Sequence, residues 1–246
     1  MAIIDKPSDY FNTKLYTGNA TNPTTISGIG FQPDWVWTKL RAGGTEGHRL
    51  CDAVRGVTKD LFSNDSDAEA TNSIGLKSFN SDGYVIGNSN GYNINSGTFV
   101  SWNWKAGTTG SGTTTGAGTG KAYSYSVNTT SGFSIVTYLG NGTEDHTIPH
   151  HLGVAPKMYI VKQRDGVDSW ITYHDGLGGA DKYILLNTTA AAGTSNNPWG
   201  TVVPTSSVNN LGSAGDTNGN DDSFIMYSFA DVQGYSKFGS YTGNGN

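Results

Sequence analysis

The sequence predicts an all-β protein built from two tandem β-sandwich modules of the jelly-roll or lectin-like kind. Three observations lead to this prediction. Thr, Tyr, Trp and Val, which favour pleated and half-buried strands, are abundant, whereas Glu, a common residue of helix surfaces, occurs only three times. Glycine occurs 35 times and, with Asn, supplies tight turns between short strands. Long sequence blocks also recur in the same order, which indicates an internal repeat.

The first repeated block is an opening strand that runs into a Tyr-x-Gly-Asn turn. It occurs at residues 11–19, at residues 133–141 and again at residues 235–244. Alternation of residue types toward each turn is typical of a β-strand. We therefore expect an opening strand and the same turn at all three places.

Further blocks match between the first two copies. Residues 35–39 align with 158–162, residues 58–64 with 181–187, and residues 99–104 with 224–229. Because these blocks keep their order, the chain divides into a first module at 1–107, a second at 122–233, and the opening strand of a third, incomplete repeat at 234–246.

The segment between the modules, residues 108–121, is rich in Gly, Thr and Ser. Residues 107–120 contain no apolar side chain larger than that of Ala. Such a segment behaves as a flexible coil with a root-mean-square span of roughly 20 Å. We therefore predict a flexible linker between the two sandwiches.

Two pairs of tryptophans stand at period two, Trp35 with Trp37 and Trp102 with Trp104, so each pair shares one face of a strand. Such rings could stack on sugars. The aligned positions in the second copy are nevertheless bulky and apolar (Met158, Ile160, Tyr227 and Phe229). A position that is apolar in both copies is typical of a core, so we predict that all four tryptophans are largely buried.

The charge distribution excludes several classes of partner. The net charge is −5, and no basic stripe with interleaved aromatic residues is present, so we expect no nucleic-acid partner. The longest apolar runs are only a few residues, so no insertion into a membrane is expected. Cys51 is the single cysteine, which excludes an internal disulfide.

Several of the repeated blocks resemble a module found in structural proteins of marine bacteriophages, tail fibres among them. The similarity is carried by residues 9–13, 30–37, 102–107, 152–156 and 235–241. This resemblance implies a concanavalin-A-like sandwich, a place on the exterior of the virion and contacts with other virion proteins. A homo-oligomer is expected in that setting.

A calcium site is the one cofactor that the sequence suggests. Four oxygen-bearing residues alternate as in the first half of a calcium loop: Asp216, Asn218, Asn220 and Asp222. The pattern then fails, because Asp221 stands where the loop needs Gly and Tyr227 where it needs a bidentate Glu. We expect a polar turn here and no metal or cofactor, with calcium as the alternative.

The candidate ligand-binding residues are Tyr173, His174 and Asp175. They align with residues 51–53, which differ from them in chemistry. A binding module varies its ligand through side chains on loops that a constant scaffold holds. These three residues are therefore candidates for a ligand-binding loop, although an ordinary exposed turn is the interpretation that we favour for them.

Together these observations predict a non-catalytic virion protein, a tail fibre or related appendage that contacts host-surface glycans through lectin-like modules. Two other functions stay open at this point. One is a capsid decoration or architectural protein without a receptor, and the other is a polysaccharide depolymerase.

A depolymerase can be tested directly. Glycosidases need two carboxylates at a set separation, and the acidic residues of this chain lie mostly in turn-rich stretches. We expect that incubation of the full chain with host-surface polysaccharide releases no reducing ends. Turnover that a single Asp or Glu substitution abolishes would contradict this expectation.

Overall fold

Antiparallel β-strands dominate the structure, a computed structural model that describes residues 3–245. The strands of the N-terminal half are β1 (Phe11–Thr17), β2 (Thr24–Ser27), β3 (Trp35–Ala42), β4 (Arg49–Asp52), β5 (Lys59–Phe62), β6 (Ala70–Thr71), β7 (Leu76–Asn80), β8 (Gly83–Ile86) and β9 (Thr98–Trp104). Those of the C-terminal half are β10 (Thr108–Thr113), β11 (Thr115–Gly116), β12 (Ala122–Asn128), β13 (Phe133–Leu139), β14 (His146–Pro149), β15 (Met158–Gln163), β16 (Ile171–His174), β17 (Lys182–Leu185), β18 (Gly193–Thr194), β19 (Val208–Leu211) and β20 (Ser223–Phe229).

Helical structure is confined to short turns. The α-helices are α1 (Asn90–Asn93) and α2 (Gly215–Asn218), and the 3-10 turns are Pro7–Asp9 and Asp175–Leu177. Within residues 3–245, no helix has the length and apolar character needed to cross a membrane. The predicted all-β fold class is confirmed.

Two large sheets form the centre of the molecule. The first, called the N-sheet, has the strand order β1-β9-β3-β4-β5-β6, and the second, the C-sheet, has the order β10-β12-β13-β20-β15-β16-β17-β18. From β13 onward, the C-sheet follows the same order of connections as the whole N-sheet. Three-stranded sheets, β2-β8-β7 and β11-β14-β19, complete the two halves.

The apolar side chains form three main layers of core. One lies between the N-sheet and its small sheet and includes Val36 and Tyr84, and one lies between the C-sheet and its small sheet and includes Val136 and Leu211. A third core joins the inner faces of the two large sheets. Both faces of each large sheet are therefore buried, which explains the nearly continuous burial of a strand such as β20.

Residues 108–121 do not form the predicted flexible linker. Strand β10 pairs with β12 along its whole length, from Thr108 opposite Val127 to Thr113 opposite Ala122. Strand β10 needs glycine for steric reasons, because a Cβ atom on Gly110 would lie 2.6 Å from the hydroxyl of Tyr125. The tyrosine rings of β12 cover the glycines of β10, so this edge strand needs no large apolar residues of its own.

The prediction of a third opening strand is also wrong over the part of residues 234–246 that the structure describes. The only pairing there is a single bridge between Val232 and Ser236. The segment instead turns back on the C-sheet, where Phe238 contacts the ring of Phe229 at 6.0 Å between centroids. Tyr241, the tyrosine of the third turn motif, is 94% exposed.

The Tyr-x-Gly-Asn turn has the same role in the first two copies. The backbone N–H of Asn19 donates to the buried side chain of Asn93 at 2.8 Å, and that of Asn141 donates to the buried side chain of Asn218 at 2.9 Å. The turn of each opening strand is thereby fixed to the short helix of the same half. The repeated motif therefore has a structural role, since it joins the opening strand to the short helix.

The glycine of this motif should be intolerant of substitution. A Cβ atom on Gly18 would lie 2.2 Å from the carbonyl oxygen of Ile94, and one on Gly140 would lie 2.3 Å from that of Gly219. We expect Gly18→Ala and Gly140→Ala each to lower the free energy of unfolding by roughly 1–3 kcal/mol in urea titrations. Gly239→Ala is the matched control, because open space surrounds Gly239. Equal stability of all three variants would show that the turns do not need this close approach.

Candidate functional site

The candidate site is the cleft between the two large sheets. Trp35 of β3 lies at its floor, 1% exposed, with its ring stacked on Tyr227 of β20 at 4.3 Å and near Phe133 at 5.7 Å between centroids. Trp35 is therefore core, as predicted, but the core in which it lies is shared by both halves. Period two places the ring on the inner face of the N-sheet, which the C-sheet covers.

The other three tryptophans of the first half lie at the margin of this contact. Trp37, Trp102 and Trp104 are half-buried, and the rings of Trp37 and Trp102 meet edge to face at 6.1 Å. The prediction that all four tryptophans are largely buried therefore holds fully for Trp35 and only in part for these three. Trp37 and Trp104 line openings at this margin of the contact.

The first opening is an apolar cavity of about 300 Å³. Its walls are mostly aromatic and come from both sheets and from the C-terminal segment. The lining residues are Phe11, Trp35, Trp37, Trp104, Ser131, Gly132, Phe133, Met158, Ile160, Phe229, Ala230, Tyr235, Ser236 and Phe238. We call it the aromatic cavity.

The second opening is a wider pocket of about 580 Å³ that is lined mostly by polar residues, called the polar pocket. It is lined by Trp37, His48, Ser63, Asn64, Leu186, Asn187, Thr188 and Thr189. This pocket was not predicted from the sequence, because its residues come from strand β3 and from loops that are distant in the chain. A signal was nevertheless present, since Asn64 and Asn187 hold the same position in the aligned blocks 58–64 and 181–187.

The side chain of His48 orients Trp37 at the border between the two openings. The indole Nε1 of Trp37 donates to Nδ1 of His48 at 3.3 Å. Burial, with a smaller contribution from the charge of Lys39, lowers the pKa of His48. The neutral imidazole is therefore favoured, and its Nδ1 accepts the bond.

A buried ionic network ties the two sheets together beside Trp35. Arg55 Nε lies 2.5 Å from the Asp52 carboxylate, and the hydroxyl of Tyr227 donates to the same carboxylate at 2.7 Å. Arg55 also contacts Glu69 at 3.1 Å, and Arg164 of the C-terminal half donates two bonds to Glu69 at 3.0 and 2.9 Å. Negative and positive side chains therefore alternate along the network, from Asp52 in the N-terminal half to Arg164 in the C-terminal half.

The electrostatics of this network favour the charged forms of Arg55 and Glu69. Burial is the largest single influence on Arg55 and opposes its charge, but Asp52, with smaller contributions from Tyr227, Cys51 and Glu69, outweighs it in sum and raises the pKa of Arg55. Burial likewise acts to raise the pKa of Glu69, but hydrogen bonds from Arg164 and the charge of Arg55 lower it overall. Burial is the main cause that raises the pKa of Tyr227, which stays a neutral hydrogen-bond donor.

The three sequence-predicted ligand residues lie outside the cleft openings and do not act together. Tyr173 is in strand β16, 2% exposed, and stacks on Tyr159 in the core of the C-terminal half. His174 accepts a bond from the backbone of Gly176, and Asp175 pairs with Lys157 at 2.8 Å on the surface. The assignment of Tyr173 to an exposed loop is wrong, because strand β16 turns its ring inward.

Two residues of the alternative calcium site, Asn218 and Asn220, are engaged in other hydrogen bonds. Asn218 donates to the carbonyls of Thr143 and Gly212, while its side-chain oxygen accepts from Asn141. Asn220 donates to Asp221. Asp216 lies in the first turn of α2. Over the described part of the chain, no group of three His, Cys, Asp or Glu residues is placed to hold a metal ion.

The buried network should contribute strongly to stability. Arg55→Met would leave the carboxylate of Asp52 buried without its ionic partner, so we expect the free energy of unfolding to fall by about 3–5 kcal/mol. Lys157→Met, which breaks the exposed pair with Asp175, is the matched control and should cost at most about 1 kcal/mol. Urea unfolding followed by tryptophan fluorescence measures both. Equal costs would contradict the role given to the network.

Comparison with known proteins gives one match. A family model described as a domain of unknown function, DUF7483, matches residues 6–246, so the match covers both halves and the cleft. No curated protein and no solved structure matches the chain. With nearly its whole length matched, the chain belongs to the DUF7483 family.

Proposed function

We propose that this chain is a non-catalytic glycan-binding protein on the exterior of a bacteriophage, in a tail fibre or related appendage. The polar pocket is the observation that carries the binding part of the proposal. The resemblance of the repeated blocks to modules of phage structural proteins supports the placement on a virion. The lectin-like character of the two sandwiches belongs to the same proposal.

The polar pocket offers the groups that recognise a sugar ring. Trp37 supplies a half-buried aromatic face, on which the apolar face of a sugar would stack. Asn64, Thr188 and Thr189 place amide and hydroxyl groups around it, which would bond to sugar hydroxyls. A few polar groups around an aromatic wall are typical of a small-molecule site.

The charge of the pocket indicates the class of glycan. The lining residues carry no formal charge when His48 is neutral, the form that burial favours. A site of this kind has no cation to pair with a sialic or uronic acid, so we propose neutral sugars as the ligands. A shallow, open site binds each sugar weakly, and several copies in a homo-oligomer would supply avidity.

Binding can be tested with the full chain on an array of neutral, sialylated and uronic-acid glycans. We expect binding to a subset of neutral glycans. Trp37→Ala should weaken it by about 30-fold, the loss typical of a buried aromatic anchor, and Thr189→Arg should block it by filling the pocket. Tyr241→Ala, at an exposed ring outside the pocket, is the control.

The outcomes separate the alternatives. Binding that Trp37→Ala and Thr189→Arg leave unchanged would move the site elsewhere, and binding to no glycan would contradict the proposal. Thermal unfolding of each variant must first show an intact fold, because Trp37 also contacts Trp35 and Trp102.

Placement on the virion is tested separately. Antibodies against the full chain should label the exterior of assembled particles, and labelling confined to host debris would contradict it.

A further inference from the structure

His48 holds two side chains of the polar pocket at once. Its Nδ1 accepts from the indole Nε1 of Trp37 at 3.3 Å, and its backbone N–H donates to Oδ1 of Asn64 at 2.6 Å. The amide nitrogen of Asn64 makes no hydrogen bond within the described part of the chain, so it can donate to a ligand. One residue therefore positions both the aromatic face and a polar group of the pocket.

The second copy of the repeat shows that the fold does not require a histidine at this position. His48 directly precedes β4, and its counterpart, directly before β16, is Trp170. The backbone N–H of Trp170 donates to Oδ1 of Asn187 at 3.0 Å, just as that of His48 donates to Asn64. Trp170 is fully buried, whereas His48 is half-buried at the pocket. The backbone bond is common to both halves, and the accessible imidazole is specific to the first.

The bond between His48 and Trp37 exists in only one protonation state. An indole N–H only donates, and a protonated imidazole donates from both of its nitrogens, so protonation of His48 removes the acceptor. Burial, with the charge of Lys39, lowers the pKa of His48 from its ordinary value of 6.5. The bond is therefore present at neutral pH and is lost as the pH falls through this lowered pKa.

The surroundings of His48 offer the protonated imidazole no carboxylate partner. The charged residues nearest to it along β3, β4 and the adjoining loops are Lys39, Arg41, Glu46, Arg49 and Asp65. Within the residues that the structure describes, none of them forms an ion pair or a hydrogen bond with the imidazole. Asp60 of β5 bonds to Tyr92 in the core on the other side of the N-sheet. Residues 186–189, which complete the pocket, carry no charge.

We propose that His48 is a positioning residue that makes the polar pocket sensitive to pH: the neutral side chain holds Trp37 where a sugar stacks, and the protonated side chain releases it. This inference rests on the proposed glycan site and adds its regulation. After release, the ring of Trp37 keeps its contacts with Trp35 and Trp102. We therefore expect acid to loosen the ring and weaken glycan binding without unfolding the chain.

The release of Trp37 can be measured without a ligand. In the full chain labelled with nitrogen-15 at tryptophan, the indole signal of Trp37 is identified by its absence from Trp37→Phe. Between about pH 8 and pH 4.5 this signal should shift, with a midpoint below about 6.5. It should stay constant in His48→Asn, whose side-chain oxygen takes the place of Nδ1 as acceptor and does not titrate.

His174→Asn is the matched control for this titration. Nδ1 of His174 also accepts a hydrogen bond, from the backbone of Gly176 at 3.0 Å, but His174 does not line the polar pocket. The Trp37 signal of this variant should therefore titrate as it does in the native chain. Circular dichroism at both ends of the pH range first establishes that each protein is folded.

Glycan binding is then compared at about pH 7.5 and about pH 5, with a neutral glycan that the native chain binds. We expect the affinity to fall roughly 2- to 10-fold in acid for the native chain and for His174→Asn, through the loss of one hydrogen bond. His48→Asn should bind equally at both pH values. His48→Leu, which has no acceptor, should bind weakly at both.

The outcomes separate this inference from the proposed function. A Trp37 signal that does not shift in the native chain, which needs no variant, would overturn the inference. An equal shift in His48→Asn, or glycan binding that stays constant while the signal shifts, would do the same. Absence of glycan binding at every pH would contradict the proposed function, and the Trp37 signal would still decide whether His48 positions the ring.

Discussion

Trp35 lies where the two large sheets meet, stacked on Tyr227 and next to the buried pair of Arg55 and Asp52. Tyr227 belongs to both interactions, since its ring packs on Trp35 and its hydroxyl bonds to Asp52. The ionic geometry therefore depends on the aromatic stack, and a buried ion pair is stabilising only when its geometry is good. This contact also positions both openings of the cleft, because each opening is lined by residues from both halves of the chain.

The sequence predicted the strands and their inner faces better than it predicted their partners. Period two correctly placed Trp35 and Trp37 on one face, and the apolar residues of the aligned block indicated that this face is buried. Periodicity cannot say whether the covering layer is the small sheet of the same half or the other half of the chain. Trp37 shows the consequence, since it is half-buried at the cleft, although each half alone had suggested a closed core.

Segments whose structure depends on distant partners were the ones predicted wrongly. The composition of β10 is that of a flexible coil, and only the tyrosines of β12, which lie over Gly110 and Gly112, make it an ordered edge strand. The opposite error concerns the segment after Gly234, which has the sequence pattern of a strand but forms no strand in the part that the structure describes. The polar pocket was missed for a related reason. Its residues come from both halves, and only the equivalence of Asn64 and Asn187 connects them in the sequence.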